Sequence, residues 1–267
     1  MISYYLLSLS FIVNIVNIPF ENGANIRGSS KAFQEIKNDL AFLNIGKIHD
    51  IKCDNVHVRE VLCSGYEKVE EVLNTNEFPL TFGGDHTISI SSISACNDYC
   101  KKKNLKLGIV WFDAHADFNT IETSPSGNLH GVPVSVLCGH TLKFISLTEP
   151  LNTNQFCYHG VRDFDSQEFL RFQEYNMTTA YNARDFLDFI DNFDRIHISF
   201  DLDCLDPSFM HCVNTKIPNG LMLKEVLQKL NLIKDSGKLI SMDIVEYNPI
   251  FGDNTNILIK IINFLTF

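Results

Sequence analysis

Basic side chains are scarce in this chain: Lys and Arg number 22 against 32 Asp and Glu, a formal net charge of −10. A surface of that sign repels phosphate backbones, which argues against a nucleic-acid partner and leans weakly toward a cationic small molecule. None of the eight cysteines pairs in a CxxC spacing, and most sit inside apolar runs. They read as reduced, buried thiols of a reducing, cytoplasmic compartment and not as a disulfide framework. Cys96 and Cys100, four apart, suit one helix face better than a zinc site. No basic residue precedes Arg27, so the apolar stretch 1–19 lacks the charged start of a secretory signal. Ser8, Ser10, Asn14 and Asn17 interrupt it too often for stable membrane insertion. A buried strand region is expected there, with a cleaved or anchoring segment as the alternative. Internal repeats, low-complexity tracts and Pro/Gly/Ser-rich linkers are also missing, so one domain is expected over residues 1–267. At 45% hydrophobic and 20% charged residues, the composition is globular, and 267 residues can bury a sizeable core.

What is present is an alternation of short β-branched apolar runs with longer amphipathic stretches. Strands are predicted at 12–18, 78–82, 106–112, 155–160, 195–200 and 238–242. Helices are predicted at 30–43, 56–73, 87–103, 166–175, 183–192, 221–234 and 255–265. Strands apolar on both faces, alternating with helices, indicate an α/β fold with a predominantly parallel sheet covered on both sides, and ligands bind such sheets beyond the carboxyl ends of the strands.

Chemistry-bearing residues gather at those ends. FPLTF runs into Gly83-Gly84-Asp85-His86, and LGIVWF into Asp113-Ala114-His115-Ala116-Asp117. IHISF runs into Asp201-Leu202-Asp203 and then Asp206, and KLISM into Asp243-Ile244-Val245-Glu246. So many carboxylates in one crevice repel one another unless a cation is bound. In extended chain, residues two apart face the same way, so Asp113, His115 and Asp117 share one side, as do Asp201 and Asp203, with His86 supplied by the neighbouring strand end. Four carboxylates balance two divalent ions, and a carboxylate-rich, imidazole-containing donor set suits Mn²⁺ better than Zn²⁺ or Cu²⁺. A lone Asp at a strand end is more often a helix N-cap, and Asp85, Asp163 or Asp206 taken singly reads that way. A lone His in an apolar run is more often packed core. Neither reading accounts for DxHxD and DxD on separate strands.

In GGDHT (83–87), DAHAD (113–117), SFDLDCLDP (199–207) and DIVEYNP (243–249) the sequence resembles the ureohydrolases, the arginases in particular, from about Pro19 onward. The resemblance implies a three-layer αβα domain with an eight-stranded parallel sheet, assembled as a homotrimer. It implies two Mn²⁺ ions, the first held by His86, Asp113, Asp117 and Asp201, the second by Asp113, His115, Asp201 and Asp203, with Asp113 and Asp201 bridging. It further implies cleavage of L-arginine to L-ornithine and urea by a hydroxide shared between the ions, with Asp117 moving its proton. His130 matches the family's proton-shuttling histidine and is expected to titrate near neutrality. Glu246 matches the glutamate that orients the guanidinium, and Thr215 aligns near that group. The SGNLHG segment matches arginases and not agmatinases.

Asn119, Ser126 and Asn128 are neutral donors suited to an α-carboxylate; outside the motif, Ser126 and Asn128 would read as a polar surface turn. Asp165 matches the residue that contacts the α-ammonium, and Glu168 is expected to assist through water. The stretch 210–220 departs from the family's Pro- and Gly-rich run, and Asn214 and Asn219 are expected to supply left-handed conformations in its place. Agmatinase, another guanidino-acid hydrolase, and a non-catalytic homologue are the competing readings.

Overall fold

The apolar runs pair side by side because each has side chains to bury on both faces. In the computed structural model, which describes residues 12–266, they form one eight-stranded sheet. Its strands are β1 (Val13–Ile18), β2 (Ile45–Asp50), β3 (Phe78–Gly83), β4 (Leu107–Phe112), β5 (Phe156–His159), β6 (Thr178–Thr179), β7 (Arg195–Asp201) and β8 (Leu239–Val245), all paired in parallel. Of the buried strand region expected at 1–19, residues 1–11 lie outside the described residues. The helices are α1 (Ala32–Ile36), α2 (Val58–Asn74), α3 (Ser89–Lys102), α4 (Pro133–Leu137), α5 (Ser166–Glu174), α6 (Ala183–Asp191), α7 (Leu223–Asp235) and α8 (Thr255–Ile262).

Alternation along each strand divides the core into two layers. Val110 and Phe112 of β4 pack with residues of α1, α6, α7 and α8, whereas Ile109 and Trp111 pack with residues of α2, α3 and α4. This is the expected three-layer αβα arrangement. Asparagine closes several of the helices: Asn76, Asn104 and Asn176 follow α2, α3 and α5 with φ of 59°, 56° and 49°, the left-handed geometry that Asn tolerates at a helix C-terminus. Among the described residues no helix is long and apolar enough to cross a membrane.

The strand order is β2-β1-β3-β8-β7-β4-β5-β6. After β3 the chain skips two positions to lay down β4, β5 and β6, then returns to fill the gap with β7 and β8. The four motif-bearing strands β3, β8, β7 and β4 thereby become neighbours, with their carboxyl ends side by side. His86 follows β3, which is separated from β7 by β8 and from β4 by both. The donor therefore arrives across the width of two strands, not from the adjacent strand end that sequence spacing suggests.

Three other expectations are corrected. The helix predicted at 30–43 is a broken segment: a 3₁₀ turn, the five residues of α1 and a second 3₁₀ turn at Lys37–Asp39, where Asn38 and Asp39 favour turns over helix. Strands β2 and β6 were not predicted; both are sheet edges, and β2 is largely exposed, so neither carries a two-sided apolar run. Strand β8 runs three residues further than predicted, which puts Asp243 inside the strand. There it is fully buried beneath α3, accepting from Ser92 Oγ at 2.5 Å and facing His197 Nε2 at 3.2 Å, away from the strand-end cluster.

Candidate metal centre

The acidic residues at the strand ends share one local device. Asp85 Oδ1 accepts the N–H of Thr87 at 3.0 Å, Asp113 Oδ1 that of His115 at 2.7 Å, and Asp201 Oδ1 that of Asp203 at 2.8 Å. Each is an Asx turn, in which a carboxylate bonds the backbone two residues on and bends the chain sharply as it leaves its strand. Asp85 is the cap expected of it. The DAHAD residues therefore converge by turning and not by strand alternation. Strand β4 ends at Phe112, and Asp117 takes a left-handed φ of 49°.

Two clusters result. His86 Nδ1 lies 3.0 Å from Asp113 Oδ2, 3.2 Å from Asp117 Oδ2 and 3.3 Å from Asp201 Oδ2. His115 Nδ1 lies 3.3 Å from Asp113 Oδ1 and 3.1 Å from Asp203 Oδ2. Asp113 joins the two, presenting one carboxylate oxygen to each. Asp201 faces the first cluster, while its other oxygen is taken by the Asp203 N–H. All six predicted metal ligands are brought together.

The donor atoms fit metal ions. Ligands about 2.1 Å from an octahedral ion stand about 3 Å apart along an edge, close to the separations found here. The buried atoms His86 Nδ1 and Asp117 Oδ2 face this space without a hydrogen-bond partner, which is costly unless something else satisfies them. The electrostatics point the same way. Burial, then the charges of Asp203 and Asp113, push Asp201 well above the usual carboxylate range, and burial with Asp113 pushes Asp117 up to about 6. Burial disfavours charge on His86 and His115, yet the surrounding carboxylates hold both well above the ordinary imidazole value. Divalent ions relieve this mutual repulsion and take over the lone pairs.

The donors are themselves oriented. Trp111, the only tryptophan of the chain, donates from Nε1 to Asp113 Oδ2 at 2.9 Å and stacks on His86 with ring centres 4.2 Å apart. His86 Nε2 meets Ser199 Oγ at 2.9 Å, and His115 Nε2 lies 3.6 Å from Asp163, which is therefore part of the site's surroundings. Arg162 donates to the carbonyls of Asp203, Cys204, Ile217 and Pro218, tying the Asp203 turn to the loop that follows it. Sequence reasoning missed Trp111, Ser199 and Arg162. For Trp111 a signal existed, a lone indole two residues before the motif, and Ser199 opens the SFDLDCLDP motif; for Arg162 there was none.

Above the clusters lies a cavity of about 280 Å³ lined by Asn119, Ser126, His130, Asp165, Glu168, Thr215 and Glu246 as well as the candidate ligands His86, His115, Asp117, Asp201 and Asp203. Asn128 sits beside it, 3.4 Å from His130 Nε2, and donates its N–H to Ser126 Oγ. Asn119 Nδ2 donates to Asp165 Oδ2 at 3.0 Å, so one of its amide hydrogens is already committed to the residue predicted to meet the α-ammonium. Glu168 Oε1 accepts the Phe118 N–H, and burial pushes its carboxyl up to about 8. A larger cavity of about 770 Å³ opens near Lys106 and Gln155, at the amino ends of β4 and β5, and its lining contains no imidazole.

Glu246 follows β8 with a left-handed φ of 66°. Its Oε1 accepts the His86 N–H at 3.0 Å and lies 3.2 Å from His130 Nδ1; its Oε2 accepts from Asn214 Nδ2 at 3.0 Å. His130 does not titrate near neutrality as expected. Burial works against its charged form, but Glu246, with Asp117 and Asp85 behind it, raises it to about 9. The 210–220 stretch also differs from expectation: Asn219 is left-handed, with φ of 61°, but Asn214 is not, and its side chain is used in place of its backbone.

A stability prediction follows from the His130–Glu246 pair. Its folded value is raised above the ordinary 6.5, so its contribution is complete below pH 6.5 and is lost as pH rises through about 9. In metal-free protein, His130→Ala is expected to cost on the order of 3 kcal/mol at pH 6 and much less at pH 10. Urea unfolding at the two pH values checks this; an equal loss at both contradicts it.

The model of the Arginase family matches residues 20–263. The arginase of Entamoeba histolytica is 31% identical over 224 residues, 79% of this chain and 73% of that protein. The crystal structure of that organism's arginase in complex with L-ornithine superposes with a TM-score of 0.85 at 27% identity, covering 97% of this chain and 99% of the other. A putative agmatinase from Clostridium difficile shares the fold, with a TM-score of 0.79 at 22% identity, covering 96% of each chain.

Proposed function

The chain belongs to the arginase family, and from that premise we propose that it hydrolyses L-arginine to L-ornithine and urea with two Mn²⁺ ions. Asp113 carries this reading: its two oxygens serve separate His/Asp clusters at the floor of a cavity sized for an amino acid. His86, Asp113, Asp117 and Asp201 would hold the first ion, and Asp113, His115, Asp201 and Asp203 the second. A donor set of carboxylates with two imidazoles favours Mn²⁺ over softer-ligand metals. When bound, such ions act as Lewis acids that ionise a water near neutral pH.

The remaining steps fall to the chain's own residues. Glu246, buried and negatively charged, receives the guanidinium and holds it over the clusters, which removes orientational freedom from the reaction. Asp117, which would also hold the first ion, takes the proton released by the attacking water. His130, three-quarters shielded and adjacent to Glu246, delivers a proton from the solvent side to the departing amine. Asp165, anchored by Asn119, meets the α-ammonium with Glu168 behind it. Ser126 and Asn128 donate to the α-carboxylate from the rim, and Thr215 borders the guanidinium end. Agmatine has no α-carboxylate or α-ammonium and would leave that rim idle. We extend the proposal to a single-domain, cytoplasmic enzyme that assembles as a homotrimer, in keeping with its eight free thiols and the family resemblance.

Urea release from arginine, agmatine and guanidinobutyrate after Mn²⁺ loading is the test. Arginine is expected to be turned over best. Asp165→Ala is expected to raise the arginine KM about tenfold, the weight of one charge-assisted contact, without altering the agmatine KM. Agmatine as the preferred substrate of the unsubstituted protein would overturn the specificity, and correct metal content without turnover would favour a non-catalytic homologue.

A further inference from the structure

The stretch after the DxDxxDP motif brings a side-chain amide onto Glu246. Asn214 Nδ2 donates to Glu246 Oε2 at 3.0 Å. Asn248 Nδ2 donates to Asn214 Oδ1 at 2.6 Å and to the Arg27 carbonyl at 2.9 Å, while Asn248 Oδ1 accepts the Ile250 N–H at 3.0 Å. The polarity of this chain is fixed by backbone groups. A carbonyl can only accept and an N–H can only donate, so Arg27 and Ile250 determine which end of the Asn248 amide is nitrogen. That nitrogen then requires the oxygen of Asn214, which leaves the Asn214 nitrogen facing the carboxylate. Asn248 is fully buried and Glu246 nearly so, while Asn214 is half-buried between them.

We infer that Asn214, oriented by Asn248, is a positioning residue that fixes the Glu246 carboxylate to receive a guanidinium. A carboxylate offers about four acceptor directions. The His86 N–H, His130 and Asn214 occupy three of them, leaving one on Oε2. The carboxylate can no longer turn freely, and a ligand meets a preset acceptor. Because the Asn214 amide is neutral, it holds Glu246 without cancelling the charge that attracts the guanidinium; Lys or Arg at this position would cancel it. This inference rests on the arginine-hydrolase reading above.

The test compares N214A and N214D with the unsubstituted protein, all loaded with Mn²⁺. L-ornithine serves as the control ligand, because it keeps the α-amino acid end of arginine and has no guanidinium. N214A is expected to raise the arginine KM about tenfold and to change kcat and the inhibition constant of ornithine by less than about threefold. Metal content should stay at its unsubstituted value, and Tm should fall by no more than a few degrees, the cost of the unpaired Asn248 donor. N214D keeps the acceptor for Asn248 but loses the donor and sets a second carboxylate beside Glu246, so a still larger rise in arginine KM is expected. Its near-identical shape also guards against a packing defect in N214A. An arginine KM unchanged in both variants overturns the inference, as does a KM that rises together with the ornithine constant. Failure of the unsubstituted protein itself to hydrolyse arginine overturns the underlying reading along with it, and is told apart because no substitution is involved.

Discussion

Asp113→Ala is expected to leave the protein with neither metal ion and to lower kcat/KM for arginine by about a thousandfold or more, the several kcal/mol that Lewis-acid activation of a water supplies. The reason is geometric. Asp113 has an oxygen in each cluster, 3.0 Å from His86 and 3.3 Å from His115. Its removal also strands the Trp111 Nε1–H and the His115 N–H, both of which it accepts. Asp113→Asn separates the two effects. The amide keeps the shape and one acceptor but loses the charge, so the fold should persist while metal affinity falls. Asp203 belongs to the second cluster alone, and Asp203→Ala should cost one ion and keep the other. Elemental analysis of the dialysed variants, with Tm as the control for folding, distinguishes these outcomes. Two ions retained by Asp113→Ala would contradict the bridging role.

Glu246→Gln is expected to lower kcat/KM by about a hundredfold or more while both ions remain bound. Removing one partner from a buried charge pair costs about 3 kcal/mol or more, and here the partner lost is the acceptor of the guanidinium. The substitution has a second, independent readout. Glu246 contributes most to raising His130 to about 9. With a neutral side chain at 246, burial regains influence and the imidazole should titrate at lower pH, which an NMR titration of the His130 ring measures. Full activity in the variant would remove Glu246 from guanidinium recognition. An unshifted His130 would show that other charges, not Glu246, control the imidazole.

The parts of this site that sequence made legible are those tied to local chain geometry. A strand end followed by DxHxD or DxD is a short-range feature, and all five donors named from it, together with His86 of GGDHT, lie at the candidate metal centre. How they converge was not legible. Strand alternation suggested a shared side for Asp113, His115 and Asp117; in the structure, Asx turns and the left-handed Asp117 bring them together. Nor could spacing show that β8 and β7 fill the gap left between β3 and β4, because that order is decided by packing over the whole sheet. Edge strands β2 and β6 lack the two-sided burial that marks an interior strand. Asp243 was read as a strand-end residue because the β8 run looks complete at Met242; continued pairing with β7 extends it to Val245. Asn214 illustrates the remaining limit. Its contact with Glu246 spans 32 residues of sequence, and an asparagine in a polar loop carries no mark of what it will touch.

Anomalous scattering at the manganese edge from crystals soaked in Mn²⁺ tests the central claim most directly. Two peaks are predicted, one among His86, Asp113, Asp117 and Asp201 and the other among Asp113, His115, Asp201 and Asp203. A single peak, or density elsewhere with these six side chains bare, would contradict a paired-ion centre.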